Sequence, residues 1–291
     1  MAIPGIIDFL TPEKHNDVVE LLRKFGDGAI IVAGGTFVHG LEARGLLSEV
    51  KALINIGRLG LDRIDIAADA ITLGATTTLA QLDEADFVQS DAAFGAINDA
   101  LRYPPVQIMN VGTVGGCVCA SAPLYDLPAA FLALDGQVTT LGADGSRKIA
   151  LSDFFTGLFE NRLASDEFLT AITLTRPGPE TVSAFLKLET NANDLAIVNV
   201  AVRISVDDAG NCQDTRVFIG GGVGETYARA KSVEEKLNGN KPNDSLFELA
   251  SAAAGTDFEA VSDHRGSAKY RDYMAKVLIR RALGRALARY S

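Results

Sequence analysis

Two glycine-rich turns have the residue types that could bind a ligand. The first, Gly34-Gly35-Thr36, follows the apolar run 29–33, and the second, residues 110–117, holds three glycines and a threonine. Glycine lets backbone N–H groups approach an anion closely, so either turn could bind a phosphate. The first turn lacks both the Lys-Ser/Thr pair of a P-loop and the GxGxxG spacing of a Rossmann turn.

Each turn also has a second interpretation. A Gly-Gly pair taken alone is more often a plain tight turn. The second turn lies in the uncharged stretch 103–125, and a loop buried between subdomains would also exclude charge. Both turns together, in an α/β region without a nucleotide-binding lysine, favour a dinucleotide bound across a cleft between subdomains.

Cysteine and histidine are too few and too scattered to predict a metal centre. Cys117 and Cys119 are one residue apart, Cys212 is distant, and the three histidines are dispersed. Zinc and iron–sulfur sites usually need four such ligands, and no disulfide framework is indicated. A redox function would therefore need an organic cofactor, and the sparse cysteines fit a reduced, cytoplasmic location.

Composition narrows the class of protein further. The chain has 291 residues, 47% of them hydrophobic, and a net charge of −10, which predicts a globular protein of two or three subdomains. The acidic balance argues against a nucleic-acid surface. The uncharged stretch 103–125 contains three prolines and three glycines, so no transmembrane segment is expected. No basic residue precedes Lys14, so a signal peptide is not expected either.

Strands and helices alternate around the two turns, which indicates a mixed α/β region. Thr11-Pro12 predicts the start of a helix that ends at Gly26, and Asp126 predicts the cap of another. Strands are predicted at 29–33, 52–56, 70–73, 137–141 and 168–175.

Arg176-Pro177-Gly178-Pro179 is the predicted domain boundary, because two prolines and a glycine interrupt any regular element. Beyond it, three runs predict an antiparallel sheet, and three helices follow. The predicted strands are 182–188, 196–206 and 212–220, and the predicted helices are 227–237, 244–254 and 267–290.

Short motifs in a fixed order cover nearly the whole chain. Ala33 to Thr36 matches an AGGT motif, and Asn110 to Gly116 matches an N-x-GTIGG motif. Further matches lie at Asp126-Leu127, at Phe154-Phe155-Thr156-Gly157, at Lys187 with the run 194–198, and at 266–271. In this order they resemble the FAD-binding medium subunit of the molybdenum hydroxylases, the family of xanthine dehydrogenase and aerobic carbon monoxide dehydrogenase.

The resemblance implies an α+β fold in two domains. Residues 1–176 would form a vanillyl-alcohol-oxidase (PCMH)-type FAD-binding domain of two α/β subdomains, at about 1–57 and 58–176. Residues 180–291 would form a C-terminal domain with a three-stranded antiparallel sheet packed with helices.

The resemblance also implies an electron-transfer function within a heterotrimer, or a dimer of heterotrimers. Electrons would pass from the [2Fe-2S] clusters of a small subunit through FAD in this chain to an external acceptor. A large molybdenum-pterin subunit would hydroxylate an N-heteroaromatic compound, a purine, an aldehyde or a similar substrate. Two alternatives are a free-standing flavin-dependent oxidase or reductase of the same FAD-binding superfamily, which the lack of a substrate base disfavours, and a flavin-less binding module.

Sixteen cofactor contacts follow from the resemblance, with no catalytic residue in this chain. They are Val32, Ala33, Gly34, Gly35, Thr36, Phe37, Val38, Thr77, Asn110, Gly112, Thr113, Gly115, Gly116, Asp126, Leu169 and Lys187. Thr36 and Thr113 would donate hydroxyl hydrogen bonds. Twelve of the others stand in or beside the motifs given above, and Leu169 follows Asp166-Glu167, which match the end of the same stretch as Phe154 to Gly157.

Three of these positions have an ordinary structural alternative. Asp126 would accept a hydrogen bond from the ribose or adenine side, or would be a plain N-cap. Lys187 would lie near the isoalloxazine and favour its reduced anionic form, or would be a solvated strand lysine. Thr77 would contact the cofactor, or would simply favour extended backbone.

Four positions depart from the family pattern. Met109 and Asn191 stand where arginine is usual, Cys117 where asparagine is usual, and Leu195 where Phe or Tyr is usual. Leu195 matters most, because the missing aromatic ring would change how the flavin is covered and which acceptor reaches it. Cys117 is interpreted as a small buried apolar residue rather than a reactive thiol.

A basic stripe is predicted on the last helix. Arg281, Arg285 and Arg289 recur every four residues in an otherwise acidic chain. Two interpretations remain open, a solvated helix face and a docking surface for an acidic patch on a partner subunit.

Overall fold

The computed structural model describes residues 6–290, and its first sheet is parallel. Strands β1 (Asp8–Leu10), β2 (Ala29–Val32) and β3 (Ala52–Asn55) are arranged with β3 in the centre. Helix α1 (His15–Phe25) buries one apolar face, and helix α2 (Thr36–Glu42) follows β2. Helix α1 begins after Thr11-Pro12, because the backbone is still extended at Lys14, which takes the N-cap position.

The second sheet is antiparallel and has five strands in the order β4-β5-β10-β6-β7. They are β4 (Ile64–Ile66), β5 (Ala70–Gly74), β6 (Gln137–Gly142), β7 (Gly145–Ala150) and β10 (Phe168–Thr175). A separate hairpin consists of β8 (Phe155–Gly157) and β9 (Glu160–Asn161). The helices of this region are α3 (Leu79–Asp83), α4 (Asp86–Ser90), α5 (Gly95–Ala100), α6 (Val106–Val111), α7 (Val114–Cys119), α8 (Leu127–Ala133) and α9 (Leu151–Phe154).

The C-terminal sheet has the three expected long strands and one short strand in addition. They are β11 (Thr181–Leu188), β12 (Val198–Ser205), β13 (Arg216–Gly221) and β14 (Ala228–Arg229), all antiparallel. Helices α10 (Lys231–Leu237), α11 (Asp244–Ala252) and α12 (Ala268–Leu287) pack beside them. Helix α10 begins later than the predicted 227, because residues 228 and 229 pair with β13 instead.

Strand β13 likewise begins later than the predicted position 212. Cys212 makes only an isolated bridge with Val206, and its N–H donates to Asn240 O. The continuous pairing of β13 with β12 begins only at Arg216, which pairs with Arg203, so the predicted strand was four residues too long at its start.

One hydrophobic cluster joins the C-terminal region to the second region, beside a separate cluster within the C-terminal region. Phe185, Ala201, Phe218 and Tyr227 of the C-terminal region belong to the same buried cluster as the helices of the second region. Burial of the apolar surface in this cluster stabilises the second region and the C-terminal region against each other.

The basic stripe predicted on α12 is only partly a surface feature. Arg285 donates to Asp99 Oδ1 at 2.5 Å, and Arg289 donates to both carboxylate oxygens of Asp99 at 2.7 and 2.8 Å. Asp99 is 2% exposed and also accepts from Phe185 N at 3.0 Å. A buried charge must be paired, so Arg285 of α12 and Arg289, just beyond the end of that helix, serve this contact with α5. Arg281 is exposed and the Arg285 side chain is 47% exposed, so the solvated-face and docking interpretations both stay open for these two arginines.

Substitution Asp99→Asn should reduce the free energy of unfolding by about 2 kcal/mol, because hydrogen bonds to a charged group are lost. Urea denaturation at pH 7 measures this change. Arg281→Ala, which alters an exposed arginine of the same helix, should change the stability by less than about 0.5 kcal/mol. Equal stability of Asp99→Asn and the wild type would show that the ion pairs of Asp99 with Arg285 and Arg289 contribute nothing to the free energy of unfolding.

Candidate functional site

A cavity of about 490 Å³ lies among the three parts of the fold. Strand β2 and the turn after it form one wall, residues from the second region form another, and Lys187 and residues 193–195 complete the lining. Most of the lining side chains are apolar. A concave site with a few polar groups at fixed positions is typical of a cofactor pocket.

The first glycine-rich turn presents an uninterrupted series of free donors. No backbone N–H from Gly34 to Val38 donates a hydrogen bond to another residue in the described range 6–290. Gly35 has a φ of 73°, the left-handed conformation that glycine adopts without strain. We call residues 34–38 the open N–H run. Such a series of N–H groups forms a concave anion site.

Gly34 brings the two glycine-rich turns into contact. A Cβ atom at this position would lie 1.7 Å from Val111 O and 2.7 Å from Val111 C. Only glycine fits this approach, because the backbone of Val111 and Gly112 occupies the space that a side chain would need. The spacing between the turns therefore depends on the absence of one methyl group.

Only Gly112 and Thr113 of the second predicted turn lie outside helices, because residues 110 and 111 end α6 and residues 114–117 begin α7. The prediction of a loop over 110–117 is therefore wrong for most of its length. These residues, still called the second turn, have fewer free donors than the first turn. The N–H groups of Val114 and Gly115 donate to Thr77 O and Ala75 O, at 2.9 and 3.0 Å. Gly116 N donates to Thr113 Oγ1 at 3.1 Å, which makes Thr113 the N-cap of α7. Across residues 112–117, Thr113 N is the backbone donor that no other described residue accepts. This turn thus offers one amide and one hydroxyl to a ligand.

A charged cluster lies at another part of the cavity. Lys187 Nζ lies 2.9 Å from Asp126 Oδ2, 3.1 Å from Glu189 Oε2 and 2.8 Å from Asp194 O. It also lies 4.6 Å from the centroid of the Tyr103 ring. The Lys187 side chain is 3% exposed, so the interpretation as a solvated strand lysine is wrong.

Asp126 has one carboxylate oxygen available for a ligand. Burial raises the pKa of Asp126 to about 6, Lys187 opposes this shift, and Glu189 adds to it. Oδ1 is buried and accepts no hydrogen bond from a described residue. Asp126 occupies the N-cap position of α8 but its side chain makes no capping bond, so the plain N-cap interpretation is wrong. A donor on a ligand would satisfy Oδ1 and offset its desolvation.

Thirteen of the sixteen predicted contact residues line the cavity, all except Val32, Thr77 and Asn110. Thr77 is fully buried, and its carbonyl supports the second turn by accepting from Val114 N. Asn110 is exposed on α6, and Val32 lies in β2.

Sequence reasoning missed several lining residues, of which only Asp194 belongs to a matched run, 194–198. Tyr103, Tyr125, Asn161, Leu163 and Asp194 line the cavity. The two tyrosines flank the uncharged stretch, which was the one available signal for them. Leu195, noted as a departure from the family pattern, also lines the cavity and covers part of it with an aliphatic side chain.

Two cysteines line the cavity as neutral thiols. Burial raises the pKa of both Cys117 and Cys119 to about 12, and nearby Asp126 adds to the shift at Cys117. A reactive cysteine needs a lowered pKa, so these side chains act as small apolar groups. No group of three or more His, Cys, Asp or Glu side chains in residues 6–290 could hold a metal ion. In the same range no helix combines the length and apolar character that a membrane span requires.

Comparison with known proteins gives the family. Residues 5–177 match the model of the FAD binding domain in molybdopterin dehydrogenase, and residues 183–286 match the CO dehydrogenase flavoprotein C-terminal domain. The chain belongs to the FAD-binding medium subunits of the molybdenum hydroxylases. This medium subunit therefore carries an FAD-binding domain and is the flavoprotein subunit of an oxidoreductase, and the expected α+β fold is confirmed.

Individual relatives of this medium subunit match along its whole length. It is 30% identical to the nicotine 6-hydroxylase medium subunit of Paenarthrobacter nicotinovorans, over 99% of this chain and 100% of that one. It is also 30% identical to the carbon monoxide dehydrogenase medium chain of Afipia carboxidovorans, over 99% of each chain. A solved structure of reconstituted CO dehydrogenase from Oligotropha carboxidovorans superposes with a TM-score of 0.92 at 30% identity, covering 99% and 100% of the two chains.

Proposed function

We propose that this medium subunit binds FAD in the cavity and transfers electrons from the [2Fe-2S] clusters of a small subunit to an external acceptor. A large molybdenum-pterin subunit would hydroxylate the substrate, an N-heteroaromatic compound, a purine, an aldehyde or a similar molecule. The observation that carries the proposal is the open N–H run in the cavity wall of a chain that matches FAD-binding subunits over its full length.

The residues of the cavity fit FAD. The open N–H run and Thr113 supply donors for a diphosphate, and no lysine or arginine is needed beside them. Asp126 Oδ1 offers an acceptor for a hydroxyl or N–H group of the ligand. The apolar walls suit the faces of a flat aromatic ring system.

The chain's residues would orient the cofactor and set its electrostatic surroundings. FAD supplies the redox chemistry when it is bound. Lys187 keeps a buried positive charge within the lining, and its contacts with Asp126, Glu189 and Asp194 hold that charge in place. A fixed cation favours negative charge nearby, which is the direction needed for accepting electrons. Glu189 and Asp126 limit this effect, because two carboxylates face one ammonium.

We infer companion subunits because the described residues of this chain offer no metal site for the iron–sulfur and molybdenum chemistry of the proposal. Relatives of this chain are named medium subunit and medium chain, which supports an assembly with a smaller and a larger partner. We infer a heterotrimer, or a dimer of heterotrimers, in a reducing cytoplasmic compartment where the three cysteines stay free.

Purification of the chain in its native complex tests the proposal. We expect a yellow preparation with flavin absorbance bands, about one FAD per chain, and two copurifying proteins, one with iron–sulfur clusters and one with molybdenum. A colourless preparation without releasable FAD would refute the flavin assignment. A yellow chain that turns over a substrate by itself would instead favour the free-standing oxidase or reductase.

FAD affinity should decrease as the pH falls through about 6, where Asp126 takes up a proton. The ionised carboxylate accepts a hydrogen bond from the ligand, and protonation removes this acceptor. The Kd for FAD should therefore rise by up to roughly tenfold for each pH unit below the pKa. Flavin fluorescence titrations between pH 5 and pH 8 measure this effect. Asp126→Asn should bind FAD more weakly at pH 8 and lose most of the pH dependence; the same slope in both proteins would contradict the assignment to Asp126.

A further inference from the structure

The β8–β9 hairpin contains a backbone conformation that its sequence does not favour. Phe159, at its tip, has a φ of 64°, and Ser121, which it contacts, has a φ of 46°. Phe159 N donates to Ser121 O at 2.9 Å, so the two residues with left-handed backbone are joined directly. A bulky residue with positive φ is strained, and such strain persists where surrounding contacts hold it.

The same hairpin is attached to the end of α7, the helix that begins at the second turn. Asn161 Nδ2 donates to Cys119 O at 3.2 Å and to Ser121 Oγ at 3.0 Å. Asn161 Oδ1 accepts from Leu163 N at 3.1 Å, so its amide orientation is fixed. Asn161 also lines the cavity.

On its other side the hairpin contacts the first turn. The centroids of the Phe159 and Phe37 rings are 5.7 Å apart, with the planes inclined by 42°. Phe37 belongs to the open N–H run, and its ring also lies 6.3 Å from that of Tyr125, at 81°. The Phe159 side chain is 49% exposed, so the core gains little from it. The main contact that the Phe159 ring makes is therefore with the Phe37 ring.

We propose that the β8–β9 hairpin positions the open N–H run for the flavin diphosphate, with Phe159 and Asn161 as its positioning residues. Helix α2 aligns the N–H groups of Thr36 to Val38, which form its first turn. The helix does not fix where this turn lies relative to the second turn, and the contacts of the hairpin join the two. Phe159 fixes the first turn through Phe37, while Asn161 fixes the hairpin to α7 and so to the second turn. This inference rests on the proposed function.

FAD titration of the deflavinated full-length chain, kept with its accompanying subunits, tests the proposal. Phe159→Ala and Phe159→Gly should each raise the Kd for FAD roughly five- to tenfold, because each removes the ring contact with Phe37. Glycine also removes the strain at positive φ, so equal losses in both variants assign the effect to the ring. Phe159→Tyr should keep the wild-type Kd. Asn161→Ala should weaken binding to a similar extent.

Thermal unfolding of the FAD-free proteins separates positioning from stability. We expect each Phe159 variant to unfold within roughly 4 °C of the wild type. Leu158→Ala, which shortens the neighbouring half-exposed side chain, should leave the Kd unchanged. Wild-type affinity in Phe159→Ala or in Phe159→Gly, or a weakened Phe159→Tyr, would overturn the proposal, as would a Kd that rises only with lost stability. A wild-type chain that binds no FAD would overturn the proposed function itself.

Discussion

Gly34→Ala is expected to weaken FAD binding roughly 100-fold while the chain remains folded. The added Cβ would lie 1.7 Å from Val111 O, and 3.2 Å from Gly112 Cα. All the obstructing atoms belong to the backbone, so the clash can be relieved only by moving the two turns apart. That movement displaces the open N–H run from Thr113, and the two would no longer bind one diphosphate. The FAD content of the purified protein and the Kd from flavin fluorescence measure the effect.

Two other glycines separate the clash from general effects of a methyl group. Gly35→Ala meets no atom closer than Val32 Cγ1 at 3.7 Å but must keep a φ of 73°, so it tests backbone strain alone. We expect Gly35→Ala to reduce the free energy of unfolding by about 1 kcal/mol and to weaken FAD binding less than Gly34→Ala does. Gly284→Ala, in the last turn of α12 with open space around it, should leave FAD binding unchanged and stabilise the chain by up to about 0.5–1 kcal/mol. Full FAD occupancy in Gly34→Ala would contradict the proposed site.

Lys187→Met is expected to reduce the free energy of unfolding by about 3–5 kcal/mol at pH 7, because removal of one partner leaves buried charge unpaired. The Asp126 carboxylate is 10% exposed and would lose the ammonium at 2.9 Å. Its pKa, already raised by burial, would rise further, and the group would take up a proton near neutral pH. The reduction potential of bound flavin should become more negative, since a nearby cation favours the reduced, more negative form. Urea denaturation and redox titration measure the two effects.

A second substitution tests whether the stability lost in Lys187→Met comes from the unpaired Asp126 carboxylate. Asp126→Asn combined with Lys187→Met removes both members of the pair, so part of the lost stability should return, and the double-mutant cycle gives their coupling. Lys148→Met, on strand β7, replaces an exposed strand lysine and should change the stability by less than about 0.5 kcal/mol. Equal effects of Lys187→Met and Lys148→Met would show that the buried cluster has no special electrostatic role.

The sequence by itself determined the two turns and the family. Gly34-Gly35-Thr36 after an apolar strand, and the second glycine-rich turn in an uncharged stretch, are local patterns whose chemistry depends on neighbouring residues only. The order of the motifs along the chain then led to the medium-subunit family, which the comparisons confirm. Most of the long strands and helices were also predicted, since their periodicity is local, with errors at their ends at Thr11, Cys212 and Tyr227. Strand β7 and the short helices α2, α6 and α7 were not predicted.

Only the tertiary structure decided how these residues act together. Asp126 and Lys187 are separated by 61 positions, and Asp99 and Arg289 by 190, so no local pattern could show that either pair is in contact. No local pattern shows which backbone N–H groups stay free, either. Those of the first turn do, whereas the N–H groups of Val114 and Gly115 donate to the carbonyls of Thr77 and Ala75. Burial and pairing are properties of the folded chain, because they depend on which distant segments exclude water from each group.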